Sequence, residues 1–261
     1  MSRESSRQDP TATPLGYSSG RCADARIVAR DDAISFVREA ISEAGTLFDF
    51  AAAHPKAEAI RGRGAVYLIP GPTARRWVVR RLVHGGLLAP LTGDRFLRHG
   101  TPRPYNELYL SVELNARGIP TPPVVAAVVY PSGLFYRGEV AREEISDAQD
   151  LASCLFGQTR LDQPQRMEAL GAAGRLIAAL HRTGLSHTDL NMRNVLIRMS
   201  DSSPRAYILD LEKCRMAPHV GEARRRRMIA RLRRSARRFE QRTGLRLSAD
   251  EWAAFRHGYA G

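Results

Sequence analysis

The sequence predicts an α+β chain in two parts, a small strand-rich first half and a mostly helical second half. Three observations carry this. Short runs rich in β-branched residues, 65–69, 76–82, 124–130 and 133–140, crowd the first half. A long segment with helical spacing, 163–182, opens the second. No internal repeat is present, so the two halves are different structures rather than copies.

Taken in order, residues 1–30 are rich in Ser, Arg, Asp, Pro and Thr and read as a mobile arm. Residues 32–44 place Ile34, Val37 and Ile41 on one side of a helix. The runs 65–69 and 76–82 form paired strands about the turn Pro70-Gly71-Pro72. A helix over 107–116 is closed by Gly118 and Pro120. Strands 124–130 and 133–140 follow, with Pro131-Ser132 at their turn. In 163–182, Met167, Leu170, Leu176, Ile177 and Leu180 supply the apolar positions. Short strands 194–198 and 206–211 then flank a polar turn, and the remainder is helical and basic. The expected division is an arm over 1–30, a first lobe over 31–144 and a second over 145–261.

Composition removes several function classes. The start of the chain is polar and lacks the apolar segment of a signal peptide. No run is long and apolar enough to span a bilayer. Cys22, Cys154 and Cys214 form no CxxC pair, which disfavours a zinc site or a disulfide framework. The formal net charge is +13, and Lys56 and Lys213 are the only lysines. Such a charge favours an anionic partner.

The strongest chemical signal is His187-Thr188-Asp189-Leu190-Asn191-Met192-Arg193-Asn194. Its form, H-x-D-L-x-x-x-N before a strand, is that of a kinase catalytic loop. Asp189 would orient the acceptor hydroxyl and take its proton late in transfer, as the catalytic carboxylate. Asn194 and, at the end of the next strand, Asp210 would hold Mg2+, a hard cation that prefers oxygen ligands. His187 reads best as a packed residue that braces the loop. Upstream, Gly62 and Gly64 precede paired strands, where glycines let backbone N–H groups approach the phosphates of ATP, although a plain turn reads equally well. Neither lysine can fill the usual phosphate-binding position. On strand 76–82, alternation puts Val78 and Arg80 on one face, Val78 to cover adenine and Arg80 to reach the phosphates. The carboxylate partner of Arg80 is Glu107 or, second, Glu113. The adenine contacts fall near residues 142–144. No P-loop motif is present.

These residues together resemble the lipopolysaccharide kinase family. The resemblance runs from Gly62 through Trp77-Val78-Val79-Arg80, Gly85-Gly86 and Asn106-Glu107 to the Leu114–Pro120 stretch and the catalytic loop, covering roughly residues 61–259. It is greatest to kinases of 3-deoxy-D-manno-octulosonic acid (Kdo), in which arginine at the position of Arg80 and Asn191 after the Asp-Leu pair are not anomalies. The resemblance implies a protein-kinase-like bilobal fold and a Gram-negative bacterial enzyme using ATP. The acceptor implied is the 4-hydroxyl of Kdo in the inner core, on a lipid A precursor at the cytoplasmic face of the inner membrane. Leu211-Glu212 after Asp210 departs from the family, where an aromatic residue is common.

Residues 224–238 interleave nine arginines with Met228, Leu232 and Ala236 at helical spacing. Such basic helices suit packing on the second lobe together with attraction to an anionic membrane surface. Aromatic interleaving for base stacking is poor, so nucleic acid is disfavoured. No A-P-E motif follows Asp210, which points away from a protein substrate, and no obligate protein partner is evident. The loop alone leaves open a core heptose kinase, an aminoglycoside or other small-metabolite kinase, an atypical protein kinase, or a non-catalytic basic membrane-binding pseudokinase.

Overall fold

A computed structural model describes residues 13–60, 65–83, 93–158, 160–200 and 203–261. The chain divides into two compact units. One takes the chain up to Tyr109 together with Val124–Glu144, the other Leu110–Pro123 together with Ile145–Gly261.

The first unit is built on an antiparallel sheet. Its strands are β1 (Tyr17–Cys22), β2 (Ala25–Arg30), β3 (Glu58–Ile60), β4 (Val66–Pro70), β5 (Arg76–Arg81), β6 (Phe96–Leu97), β7 (Val124–Ser132) and β8 (Phe135–Glu143). The order is β1-β2-β7-β8-β5-β4-β3, with β6 also pairing β8. Helices α1 (Ile34–Ala44) and α2 (Leu47–Ala53) pack on one face. Val37, Ile41 and Leu47 there meet Ile27, Trp77, Val79, Val128 and Ala141 from the strands. The alternation of Trp77 and Val79 against Val78 and Arg80 follows from the two-residue period of a strand.

The arm expected over residues 1–30 is strand from Tyr17 onward. β1 is an edge strand whose exposed, polar residues read like disorder, yet it pairs residue for residue with β2. Ile27, Val28 and Ala29 of β2 are buried against β7. Within the same core, Glu139 is fully buried and accepts from Phe48 N (2.9 Å), the Tyr130 hydroxyl (2.8 Å) and Arg81 Nε (3.0 Å). These donors satisfy the carboxylate while burial still raises its pKa.

Helix α3 (Arg103–Ala116) begins four residues before its expected start. Pro104 is compatible with the first turn, where its missing N–H costs nothing.

The second unit carries α4 (Leu151–Phe156), α5 (Gln163–Arg182), α6 (Glu222–Thr243) and α7 (Ala249–Ala260). It also holds a small sheet, β12–β11–β9, from β9 (Ala148–Asp150), β11 (Val195–Arg198) and β12 (Arg205–Ile208). The short strands β10 (Leu185–Ser186) and β13 (Arg215–Met216) pair with each other. Helix α5 has the bounds expected from its periodicity. It starts where the Asp162 side chain accepts from Gln165 N at 2.9 Å, with Pro164 in the first turn. Leu170, Ile177 and Leu180 of α5 join Leu155, Met192, Ile208, Met228, Leu232 and Phe255 in one core.

Helices α5 and α7 touch backbone to backbone. A Cβ on Gly174 would strike the Phe255 carbonyl, and one on Gly258 the Gly171 carbonyl. The Arg166–Glu251 ion pair, 2.8 Å, and the His181 Nδ1–Tyr259 hydroxyl contact, also 2.8 Å, fasten the two ends of this crossing.

Candidate active site

In the second unit the catalytic-loop sequence leaves β10 and passes through a single 3-10 turn, Met192–Asn194, into β11. Asn191 caps that turn, its Oδ1 accepting from Arg193 N at 2.9 Å while its Nδ2 donates to the Asp189 carbonyl at 2.9 Å. Asn194 Nδ2 donates to the same carbonyl, again at 2.9 Å. Two asparagines thus converge on one backbone oxygen and fix the loop immediately after the Asp189 side chain. Asn194 lies in the turn itself, one residue before β11.

His187 is buried. Its Nδ1 accepts from Asp189 N at 3.3 Å, and its Nε2 lies 2.8 Å from the Leu209 carbonyl. Those two contacts require the neutral ring with the proton on Nε2. Burial pushes its pKa below the ordinary imidazole range, which agrees. This is the bracing histidine expected from the sequence.

Both backbone groups of Leu209 are held by the loop. Its carbonyl meets His187, and its N–H donates to the Asn194 carbonyl at 2.9 Å. The next residue is Asp210. Strand β12 was expected to reach Asp210, but it ends at Ile208. Asp210 instead sits two residues beyond, at φ 62°. Asp tolerates this left-handed backbone better than most residues, and the turn redirects its side chain away from the strand direction. The turn continues through Cys214 N to Leu211 O at 2.9 Å. The consequence is that Asp189, Asn194 and Asp210 share one hydrogen-bonded frame, whose joint is the backbone of Leu209.

Ser235, on the buried face of α6, accepts from Met192 N at 3.2 Å. The arginine-rich helix therefore braces the catalytic loop from behind. Sequence reading passed over Ser235. Its signal was a lone hydroxyl at the apolar spacing of Met228, Leu232 and Ala236, all buried.

In the first unit, Arg80 Nη2 pairs with Glu107 Oε2, and Glu107 is buried. Glu113, the second candidate, is taken by Arg117 one helical turn on. Val78 is buried beside Arg80, on the sheet face opposite Trp77 and Val79. Near the expected adenine contacts, Glu143 is held by Arg30 at 2.7 Å and Arg75 at 2.9 Å, so it is a structural carboxylate. Gly62 and Gly64 lie outside the described residues, as do Gly85 and Gly86.

Comparison with known proteins gives a consistent result. The lipopolysaccharide kinase (Kdo/WaaP) family profile matches residues 59–259. A 3-deoxy-D-manno-octulosonic acid kinase of Haemophilus influenzae (strain PittEE) is 29% identical over 208 residues, 76% of this chain and 82% of that one. The Vibrio vulnificus (strain YJ016) protein of the same name is 30% identical over 200 residues, 76% and 80% of the two chains. A solved structure, "WaaP in complex with acyl carrier protein", superposes with a TM-score of 0.56 at 18% identity, over 90% of this chain and 88% of that one. That last likeness is one of fold.

Proposed function

The chain belongs to the lipopolysaccharide kinase (Kdo/WaaP) family, a family of phosphotransferases, and from that membership we propose that it transfers the γ-phosphate of ATP to the 4-hydroxyl of Kdo on a lipid A precursor. The single observation that carries the catalytic assignment is the frame around Leu209, which ties Asp189, Asn194 and Asp210 to one another. A scaffold or binding module has no use for that set. The Kdo kinases of H. influenzae and V. vulnificus support the choice of acceptor.

In this reading Asp189 accepts a hydrogen bond from the acceptor hydroxyl. As the hydroxyl oxygen bonds to the γ-phosphorus and the bond to the ADP oxygen breaks, the proton passes to the carboxylate. An aspartate is a weak base, so holding the hydroxyl in line contributes more than proton abstraction. Arg80 binds the nucleotide phosphates, and Glu107 fixes the direction of its guanidinium. Val78 covers the base.

Magnesium fits the donor set. Asp210 offers a carboxylate, and Asn194 has committed its amide nitrogen to the Asp189 carbonyl, which leaves Oδ1 as its outward acceptor. Asp210 and Asn194 would hold the ion, whose positive charge would offset the negative charge of the transferring phosphate.

Exposed arginines 224, 226, 227, 233, 234, 237 and 238 line α6, while Met228, Leu232 and Ala236 face inward. That polarity supports attraction of the basic helix to the anionic membrane that carries the acceptor. No helix among the described residues is long and apolar enough to cross a membrane.

The test is transfer of labelled γ-phosphate to Kdo-containing lipid A, heptosylated core, an aminoglycoside and a generic protein, with a metal-free control. Label on Kdo alone is expected. Label only on a non-sugar acceptor would remove the lipopolysaccharide assignment, and label on heptose would move it to the core.

A further inference from the structure

We propose that one end of the first unit's sheet, where the β1–β2 turn, the β7–β8 turn and β6 meet, docks on an anionic lipid bilayer. This goes beyond the phosphotransfer reading and does not rest on it.

The β7–β8 register pairs Ser132 with Phe135, leaving Gly133 and Leu134 as a two-residue turn. Gly133 has φ 57°, as a glycine at the first central position of such a turn requires. Turns of this kind normally carry polar residues. Here Leu134 occupies the tip with 77% of its surface exposed. Beside it, Leu97 of β6 is 64% exposed and Phe135, its partner in the register, 38%. Among the described residues nothing covers Leu134 and Leu97 further.

Cations surround them. Arg98 continues β6 toward the tip, its N–H donating to the Leu134 carbonyl at 2.9 Å. Its Nη1 donates to the Gly133 carbonyl at 3.2 Å, so a guanidinium stands at the apex of the turn. On the neighbouring hairpin Arg21 lies directly opposite Arg26. Like charges directly opposite one another destabilise a sheet, and with one carboxylate, Asp24, beside two arginines the hollow keeps a net positive charge. Both line a hollow of about 250 Å³, together with Ala23, Asp24 and Pro131. Pro131 belongs to β7, two residues before Gly133, so the hollow and the apolar tip are adjacent.

The occupant follows from this chemistry. A second copy of the chain would bring the same arginines face to face. An acidic protein would meet the cations but would need a groove for a leucine that stands almost free. A fluid bilayer takes in Leu134, Leu97 and Phe135 without a preformed complement, while Arg98, Arg21 and Arg26 reach headgroup phosphates.

The experiment is co-sedimentation of the full chain with vesicles of phosphatidylethanolamine and phosphatidylglycerol, against pure phosphatidylcholine. Binding to the anionic vesicles is expected, falling with salt. Leu97→Ser and Leu134→Ser should each weaken it about 10-fold. The double variant Arg21→Glu/Arg98→Glu should weaken it and flatten the salt dependence. A Leu134→Trp variant should show blue-shifted emission on vesicle addition and quenching by brominated acyl chains. Unchanged sedimentation of both serine variants would overturn the proposal. So would a Leu134→Trp emission that stays put while the protein sediments, or loss of binding only on Arg233→Glu/Arg237→Glu in α6. Retention on immobilised polyglutamate with this variant dependence, but no vesicle binding, would replace the bilayer with an acidic protein. Transfer to a water-soluble, de-acylated acceptor should be unaffected in the serine variants, which separates docking from catalysis.

Discussion

Glu107→Gln removes the buried carboxylate that pairs with Arg80. The carboxylate side chain is 3% exposed and the guanidinium side chain 19% exposed. Breaking a fully buried ion pair by removing one partner costs about 3–5 kcal/mol, and an exposed pair is worth about 0–1 kcal/mol. With one partner nearly dry and the other retaining a fifth of its surface, the expected loss is about 3 kcal/mol. Arg80→Met removes the half-buried guanidinium and leaves the carboxylate desolvated, with a similar loss. The double variant Arg80→Met/Glu107→Gln should recover part of the sum, a coupling of about 2 kcal/mol. Because two compact units need not unfold as one, the probe must report on the first alone. Trp77, fully buried in that unit's core, serves once Trp252 is replaced by Phe. Urea titration of its fluorescence gives the four corners of the cycle. A coupling below about 0.5 kcal/mol, within ordinary additivity error, would refute the claim that the pair acts as a unit. In turnover assays Arg80→Met should raise KM for ATP more than it lowers kcat. The reverse would place Arg80 elsewhere in the chemistry.

Three further outcomes are expected. Asp189→Ala should abolish transfer while the urea midpoint holds, since its carboxylate side chain carries none of the loop's hydrogen bonds; near-normal turnover excludes it as the catalytic carboxylate. Ser235→Ala leaves the buried Met192 N–H without its acceptor, costs about 1–3 kcal/mol, and should lower kcat with KM for ATP unchanged, whereas Ser235→Thr should rescue; equal kcat in all three would confine Ser235 to stability. Burial, and then Arg225, hold the His181 pKa at about 4 against 6.5 in an unfolded chain. The unfolded chain therefore takes the proton first, so stability is full above pH 6.5 and falls from there to about pH 4 by about 3 kcal/mol. His187, also depressed by burial, acts in the same direction. Urea midpoints of wild type and His181→Asn between pH 7 and 4.5 check this, and parallel slopes would refute it.

The sequence spoke where chemistry depends on side-chain type at fixed spacing. Helix α5 was legible to the residue because Met167, Leu170, Leu176, Ile177 and Leu180 recur at helical spacing over 163–182. The H-x-D-L-x-x-x-N loop was legible because few other folds need that order of groups. What stayed hidden was of two kinds. Strand β1 was masked by its own solvent face, and β2 by the polar segment around it, since an edge strand of Ser, Gly and Arg has the composition of a loose segment until its partner is known. The joint at Leu209 was invisible because it is made of backbone N–H and carbonyl groups, which every residue carries alike. Glu107 stood ahead of Glu113 as the expected partner of Arg80, and it is Glu107 that contacts Arg80 while Glu113 pairs with Arg117.

The bare-backbone crossing of α5 and α7 bears on the order of events at the ribosome. Helix α5 emerges long before its partner is translated, and until Gly258 follows, Gly171 and Gly174 face nothing that fits them so closely. Phe255, a member of the same core as Leu170, arrives equally late. The half of the nascent chain that bears Asp189 must wait in an open form, with apolar surface available to chaperones, while the preceding sheet can already mature. A chain stopped at Trp252 would lack Phe255 and Gly258, and with them the partner of α5, although every residue of the catalytic loop had been made.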